Sequence, residues 1–209
     1  MEKFYKVARI VAFVILAKLL LWNVLCYSLL DIRWQYNLLS VTIITTFIHV
    51  LLIWMFSILI HNSDKGSHVY NASILAVIGF GIWIAYNIYE CMSIYEWFDL
   101  GYDINYSIAP LLQIIGFIII CIAILSITRL FHKKSLAFIS GIIYFVCLLV
   151  YILSDIDLYF WVSGSYNYDS SSLGAHIYTA IRNIICIWLE QISLLLFVFG
   201  LSKISKKKQ

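Results

Sequence analysis

The chain has 209 residues, 63% of them hydrophobic and 12% charged, with a formal net charge of +3 and a mean hydropathy of +0.94. Soluble domains carry about 25% charged residues, so an ordinary water-facing core is excluded. A total charge of +3 does not imply nucleic acid; where the charges stand along the chain carries the information.

Six apolar stretches follow one another with only short charged breaks, and about 20 apolar residues at 1.5 Å each cross the roughly 30 Å hydrocarbon layer. This pattern predicts an all-α polytopic membrane protein: a six-helix transmembrane bundle forming one domain over 1–209. The spans fall at about 8–30, 38–60, 70–92, 108–128, 136–156 and 178–202. The basic N-terminus leads into an apolar run without an A-x-A-like cleavage site, and reads as a retained helix.

In the first span, AFVILAKLLLW sets Lys18 among apolar neighbours. Starting the span after Lys18 would leave about twelve apolar residues, too few to cross. The ammonium is therefore expected inside the bilayer, where it costs about 2.5–3.5 kcal/mol on insertion scales. Two readings follow: its long stem snorkels toward the interface, or it has a counter-charge. The second span supplies a polar face of Thr42, Thr45, Thr46 and His49. Histidine titrates near neutral pH, so His49 is either a relay member or an interhelical hydrogen-bonding group. In the third span, Ala72, Ala76 and Gly79 make a small-residue stripe that permits close helix approach, and Asn87 reads as an interhelical hydrogen bond.

Residues 90–107, ECMSIYEWFDLGYDINYS, form the first acidic, aromatic outer loop, with Glu90, Glu96, Trp97, Asp99 and Asp103 as its candidate binding groups. Carboxylates beside aromatic faces attract cations, although an interfacial aromatic belt gives the same text. The fourth span opens at Pro110 and carries Gln113. The fifth, SLAFISGIIYF, loosely repeats the third, SILAVIGFGIW, and is followed by a similar outer loop with Asp155 and Asp157. That Asp-x-Asp pair makes a weak metal site, because alternate residues at a helix end diverge and no third ligand is specified.

The sixth span holds Glu190 near the midplane, with Asn183, Cys186 and Ser193 on its face at helical spacing. First and last helices of a six-helix bundle can be neighbours, so Glu190 is the expected counter-charge of Lys18. Lys18, His49 and Glu190 thus form the candidate intramembrane charge cluster, with Thr42, Thr45, Asn183, Cys186 and Ser193 supporting it.

Sidedness follows from the bases. Lys3, Lys6, Arg9, Lys65, Arg129, Lys133, Lys134, Lys203, Lys206, Lys207 and Lys208 all fall on one side of the six-span layout. Cytoplasmic loops are enriched in Lys and Arg, so both termini are expected in the cytoplasm. Cysteines 26, 91, 121, 147 and 186 show no metal or redox spacing and read as small apolar packing groups.

No G-x-S-x-G, H-E-x-x-H or G-x-x-x-x-G-K is present. The expectation is a protein without enzymatic activity, metal or cofactor. It would act as a membrane-embedded interaction, sensing or accessory subunit, for which bacterial stress, immunity or phage-defence systems are the expected setting. Its partners would be membrane lipid and either a second copy or another protein. The location would be the bacterial inner membrane, with the endoplasmic reticulum as the alternative suggested by the KKKQ tail. The competing function is a small transporter or channel using Lys18, His49 and Glu190 as a midplane path.

Overall fold

A computed structural model describes residues 2–28, 34–99, 108–131, 133, 135–162 and 188–207. These fold into six helices: α1 (Glu2–Ser28), α2 (Trp34–His61), α3 (His68–Asp99), α4 (Ile108–Thr128), α5 (Leu136–Val162) and α6 (Glu190–Lys207). A π-helical turn at Trp188 and Leu189 leads into α6. Among the described residues, three segments are long and apolar enough to cross a membrane: Thr42–His61, His68–Tyr89 and Leu111–Thr128. Shorter apolar helical segments cover Leu136–Val150 and Glu190–Leu201.

Each helix packs on its successor, and α6 closes back onto α1. The result is a ring of six helices in which neighbours run in opposite directions: Gly200 near the end of α6 meets Ala137 at the start of α5, and Gly141 meets Phe197. The start of α1, the α2–α3 turn, the α4–α5 turn and the end of α6 therefore share one end of the ring. Lys3, Lys6, Arg9, Lys65, Arg129 and Lys133 stand at that end.

Local chemistry sets the helix boundaries there. Ser67 caps α3, its Oγ accepting from Tyr70 N at 3.2 Å and its carbonyl from Asn71 N at 3.0 Å. Ser135 does the same for α5, accepting from Phe138 N at 3.2 Å. Gly66 turns the chain between α2 and α3 with φ of 84°, a conformation that costs glycine nothing.

Every helix buries a stripe at intervals of three and four and leaves the rest apolar and outward. On α1 the stripe is Phe4, Val7, Ala8, Val11, Ala12, Ile15, Lys18 and Leu19, while Phe13 and Leu20 are 71% and 60% exposed. On α5, Tyr144, Cys147, Leu148 and Ile152 are buried and Leu153 is 65% exposed. Large outward apolar side chains recur on every helix, including Ile43, Trp54, Ile88, Ile122 and Ile192. Water-facing surfaces rarely expose apolar area so continuously. The hydroxyls of outward Ser57 and Ser126 donate to the carbonyls four residues back, at 2.8 and 2.7 Å, which satisfies them within their own helices.

Two stretches expected as outer loops begin as helix. α3 continues through Glu90, Glu96 and Trp97 to Asp99, and α5 continues through Asp155 and Asp157 to Val162. Apolar runs report how much helix needs lipid, whereas backbone hydrogen bonding carries a helix on past the last apolar residue. Asp155 and Asp157, two residues apart in a helix, are rotated about 200° from each other.

Candidate functional site

The buried polar residues sit in the same registers as the apolar stripes, so each helix delivers its polar group to the interior. On α2 the stripe runs Thr42, His49, Leu52, Met55, Phe56 and Leu59; on α3, Ala72, Ser73, Ala76, Phe80, Trp83 and Asn87; on α6, Glu190, Ser193, Leu194, Phe197, Val198 and Leu201. Ring closure then places these groups around one seam.

Lys18 Nζ donates to Thr45 Oγ1 at 2.8 Å, joining α1 to α2. The ammonium is buried and within electrostatic range of Glu190 across the α1–α6 contact and of His49 on α2, but among the described residues it forms no direct ion pair with Glu190, the ion pair among them being Lys6–Glu2. Asn87 on α3 donates from Nδ2 to Thr46 Oγ1 at 3.2 Å and lies 3.5 Å from His49 Nδ1. Thr46 Oγ1 itself donates to the carbonyl of Thr42 at 2.7 Å. The chain of contacts Lys18–Thr45 and Thr46–Asn87–His49 ties three helices together in an apolar setting, where a missing partner costs more than in water.

His49 is 3% exposed and walled by aromatics. Its ring centroid lies 4.1 Å from that of Trp83 and 5.5 Å from that of Phe80. Trp83 in turn meets Phe117 of α4 edge to face at 4.5 Å. Phe56 stacks on Phe80 at 6.1 Å, completing a cluster from α2, α3 and α4. On the other side, Glu190 is 7% exposed, and the Tyr144 side chain of α5 is fully buried with its hydroxyl unpartnered among the described residues. Ser193 donates to the Glu190 carbonyl at 2.8 Å.

The ring therefore brings Lys18, His49 and Glu190 into one electrostatic neighbourhood, with Thr45 on the ammonium and Thr42 and Ser193 buried on the same faces. Asn183, Cys186 and Asp103 lie outside the described residues. Glu90, Glu96, Trp97, Asp99, Asp155 and Asp157 lie in the distal turns of α3 and α5, with only their backbone described. Sequence reasoning missed Tyr144, Trp83 and Phe80. The available signal for Tyr144 was its spacing of three and four from Ser140, Gly141 and Leu148, which sets a phenol in the inward register. Among the described residues, no three His, Cys, Asp or Glu side chains gather at metal-holding distance.

Comparison with family models, with curated proteins and with solved structures finds no match to this chain.

Proposed function

We propose that this chain is a six-span membrane protein with both termini in the cytoplasm, acting without catalysis as an interaction, sensing or accessory subunit within the lipid. The observation that carries this reading is the pairing of a closed ring of continuous helices with large apolar side chains facing outward on all of them. Pro110, the chain's one proline, stands in the first turn of α4, where a missing N–H breaks nothing. Transporters commonly bind substrate where helices are interrupted; here α1 to α4 run as continuous helices through their buried polar residues Lys18, His49, Asn87 and Thr128. A rigid bundle with an apolar exterior suits docking to a second copy or to another membrane protein. The Ile-, Asn-, Lys- and Tyr-rich composition favours a bacterial inner membrane, and the small size favours an accessory role in a stress, immunity or phage-defence system. Crosslinking in native membranes followed by affinity capture is expected to return a self-oligomer or a discrete membrane partner. Recovery of the monomer alone sinks the proposal.

A second reading is supported by the meeting of Lys18, His49 and Glu190, which is the equipment of an ion path. In that case flux into proteoliposomes is lost in Glu190→Gln and His49→Ala. Flux unchanged by both substitutions removes this reading.

A further inference from the structure

The outward face of α1 changes character within two turns. Glu2, Lys6, Arg9, Phe13, Leu16 and Leu20 follow one another at intervals of four and three, so they share one face of the helix, and all six are exposed on it. Up to Arg9 this face is charged; from Phe13 onward it is apolar. In a bilayer, that is the order of headgroup and acyl chain along one lipid molecule.

The charges at the boundary are not equivalent. Lys6 Nζ lies 2.8 Å from Glu2 Oε1, and an ammonium has donors beyond the one given to that carboxylate. Arg9 forms no ion pair among the described residues. Its guanidinium carbon stands 4.6 Å from the centre of the Tyr5 ring, one turn nearer the start of α1, so the long stem runs back toward the polar end of the helix. A guanidinium resting on an aromatic ring still has its N–H fork to offer, and that fork matches the paired oxygens of a phosphate. On α6, which packs against α1, Leu196 and Phe199 are exposed, and Lys203 follows them at the same spacing before the helix ends at Lys207. Bases thus outnumber acids where these two helices meet the polar end, and a zwitterionic headgroup would bring its own cation against them.

We propose that the outward face of α1 is a binding site for one anionic phospholipid, with Arg9 and Lys6 on the phosphate and an acyl chain along Phe13, Leu16 and Leu20. The site rests on the six-span membrane reading. It deepens that reading by naming the lipid class the cytoplasmic end selects.

The full chain in uncharged detergent, titrated with phosphatidylglycerol or phosphatidylcholine and read by native mass spectrometry, tests it. The native chain is expected to bind phosphatidylglycerol more tightly. Arg9→Gln should weaken that binding about fivefold, the effect of one base beside an anionic headgroup, and leave phosphatidylcholine binding unchanged. Lys65→Gln with Lys133→Gln, two exposed bases at the same end but off α1, should keep the native preference. Glycerol phosphate, which has the phosphate without the chains, should not displace the lipid at equal concentration. Equal binding of the two lipids by the native chain overturns the proposal without any variant. So does a loss in the Lys65 and Lys133 double variant as large as that in Arg9→Gln, or displacement by glycerol phosphate. A lipid-free dimer that Arg9→Gln dissolves would put a second copy on this face and overturns it too. The titration needs no protein partner, so a crosslinking experiment that returns only monomer leaves this site standing.

Discussion

The α3–α4 seam and the α1–α6 seam join helices by opposite means. At α3–α4, Gly79 and Gly116 let the backbones approach: a Cβ on Gly79 would stand 2.6 Å from Ile120 Cγ1 and 3.2 Å from the Gly116 carbonyl oxygen. At α1–α6 both helices bury an ionisable group, Lys18 on one and Glu190 on the other, and Thr45 of α2 takes the hydrogen bond from the ammonium. Where lipid replaces water, the hydrophobic effect no longer drives helices together. Close packing and interhelical polar contacts take its place. The comparison teaches that one ring uses both, on different seams.

The charged seam should show the largest effect. Glu190→Leu alone leaves Lys18 buried without its counter-charge and is expected to cost about 3–5 kcal/mol, read as a lower melting temperature in detergent. Adding Lys18→Met should recover most of that loss, because an apolar pair of similar volume replaces the ionic one. A double variant as unstable as the single would break the comparison and mark Lys18 as held for another purpose.

Close-packed seams come next. At Gly200 an added Cβ would sit 2.8 Å from the backbone Cα and N of Ala137 and from its Cβ, none of which can swing aside. Gly200→Ala should cost about 1–3 kcal/mol by overpacking. Gly81→Ala, where nothing lies within 4 Å, is the matched control and should be neutral or mildly stabilising. Equal losses at both positions would mean that helix propensity, and not approach distance, governs these glycines.

The neutral polar link is smaller. Asn87→Leu removes the donor to Thr46 Oγ1, and interhelical hydrogen bonds of this kind are worth about 0.6 kcal/mol on average, up to about 1.7. A loss as large as that of Glu190→Leu would put the centre of the polar network at His49 and Asn87.

Smallest is the exposed pair Glu2–Lys6, 2.8 Å apart at the start of α1. The hydrogen bond from Lys6, and then its charge, hold the Glu2 carboxyl below its ordinary value. Its contribution is therefore present above the unfolded carboxylate range and lost as pH falls through the lowered folded value. Both side chains lie in solvent, so Glu2→Gln should leave the melting temperature unchanged at moderate salt. A clear loss would show that this helix end is held more tightly than its exposure implies.

The likeness between the third and fifth spans shows how far sequence text reaches. Gly79 and Gly141 occupy matching places in SILAVIGFGIW and SLAFISGIIYF, yet Gly79 packs on α4, while Gly141 meets Thr128 of α4 and Phe197 of α6. Shared small-residue spacing is local, but the partner across the seam is chosen by the ring.

The amino-acid order by itself determined the helical class, the approximate place of each described helix, and the inward register of Lys18, His49 and Glu190, because a period of 3.6 residues puts polar groups on the same stripe as their buried apolar neighbours. Serine caps at 67 and 135 were equally local. Only the tertiary structure decided that α6 closes onto α1, that Thr45 takes the Lys18 hydrogen bond, and that Asn87 reaches Thr46. Each of these depends on which helix stands beside which, and that adjacency is fixed by the packing of all six surfaces at once.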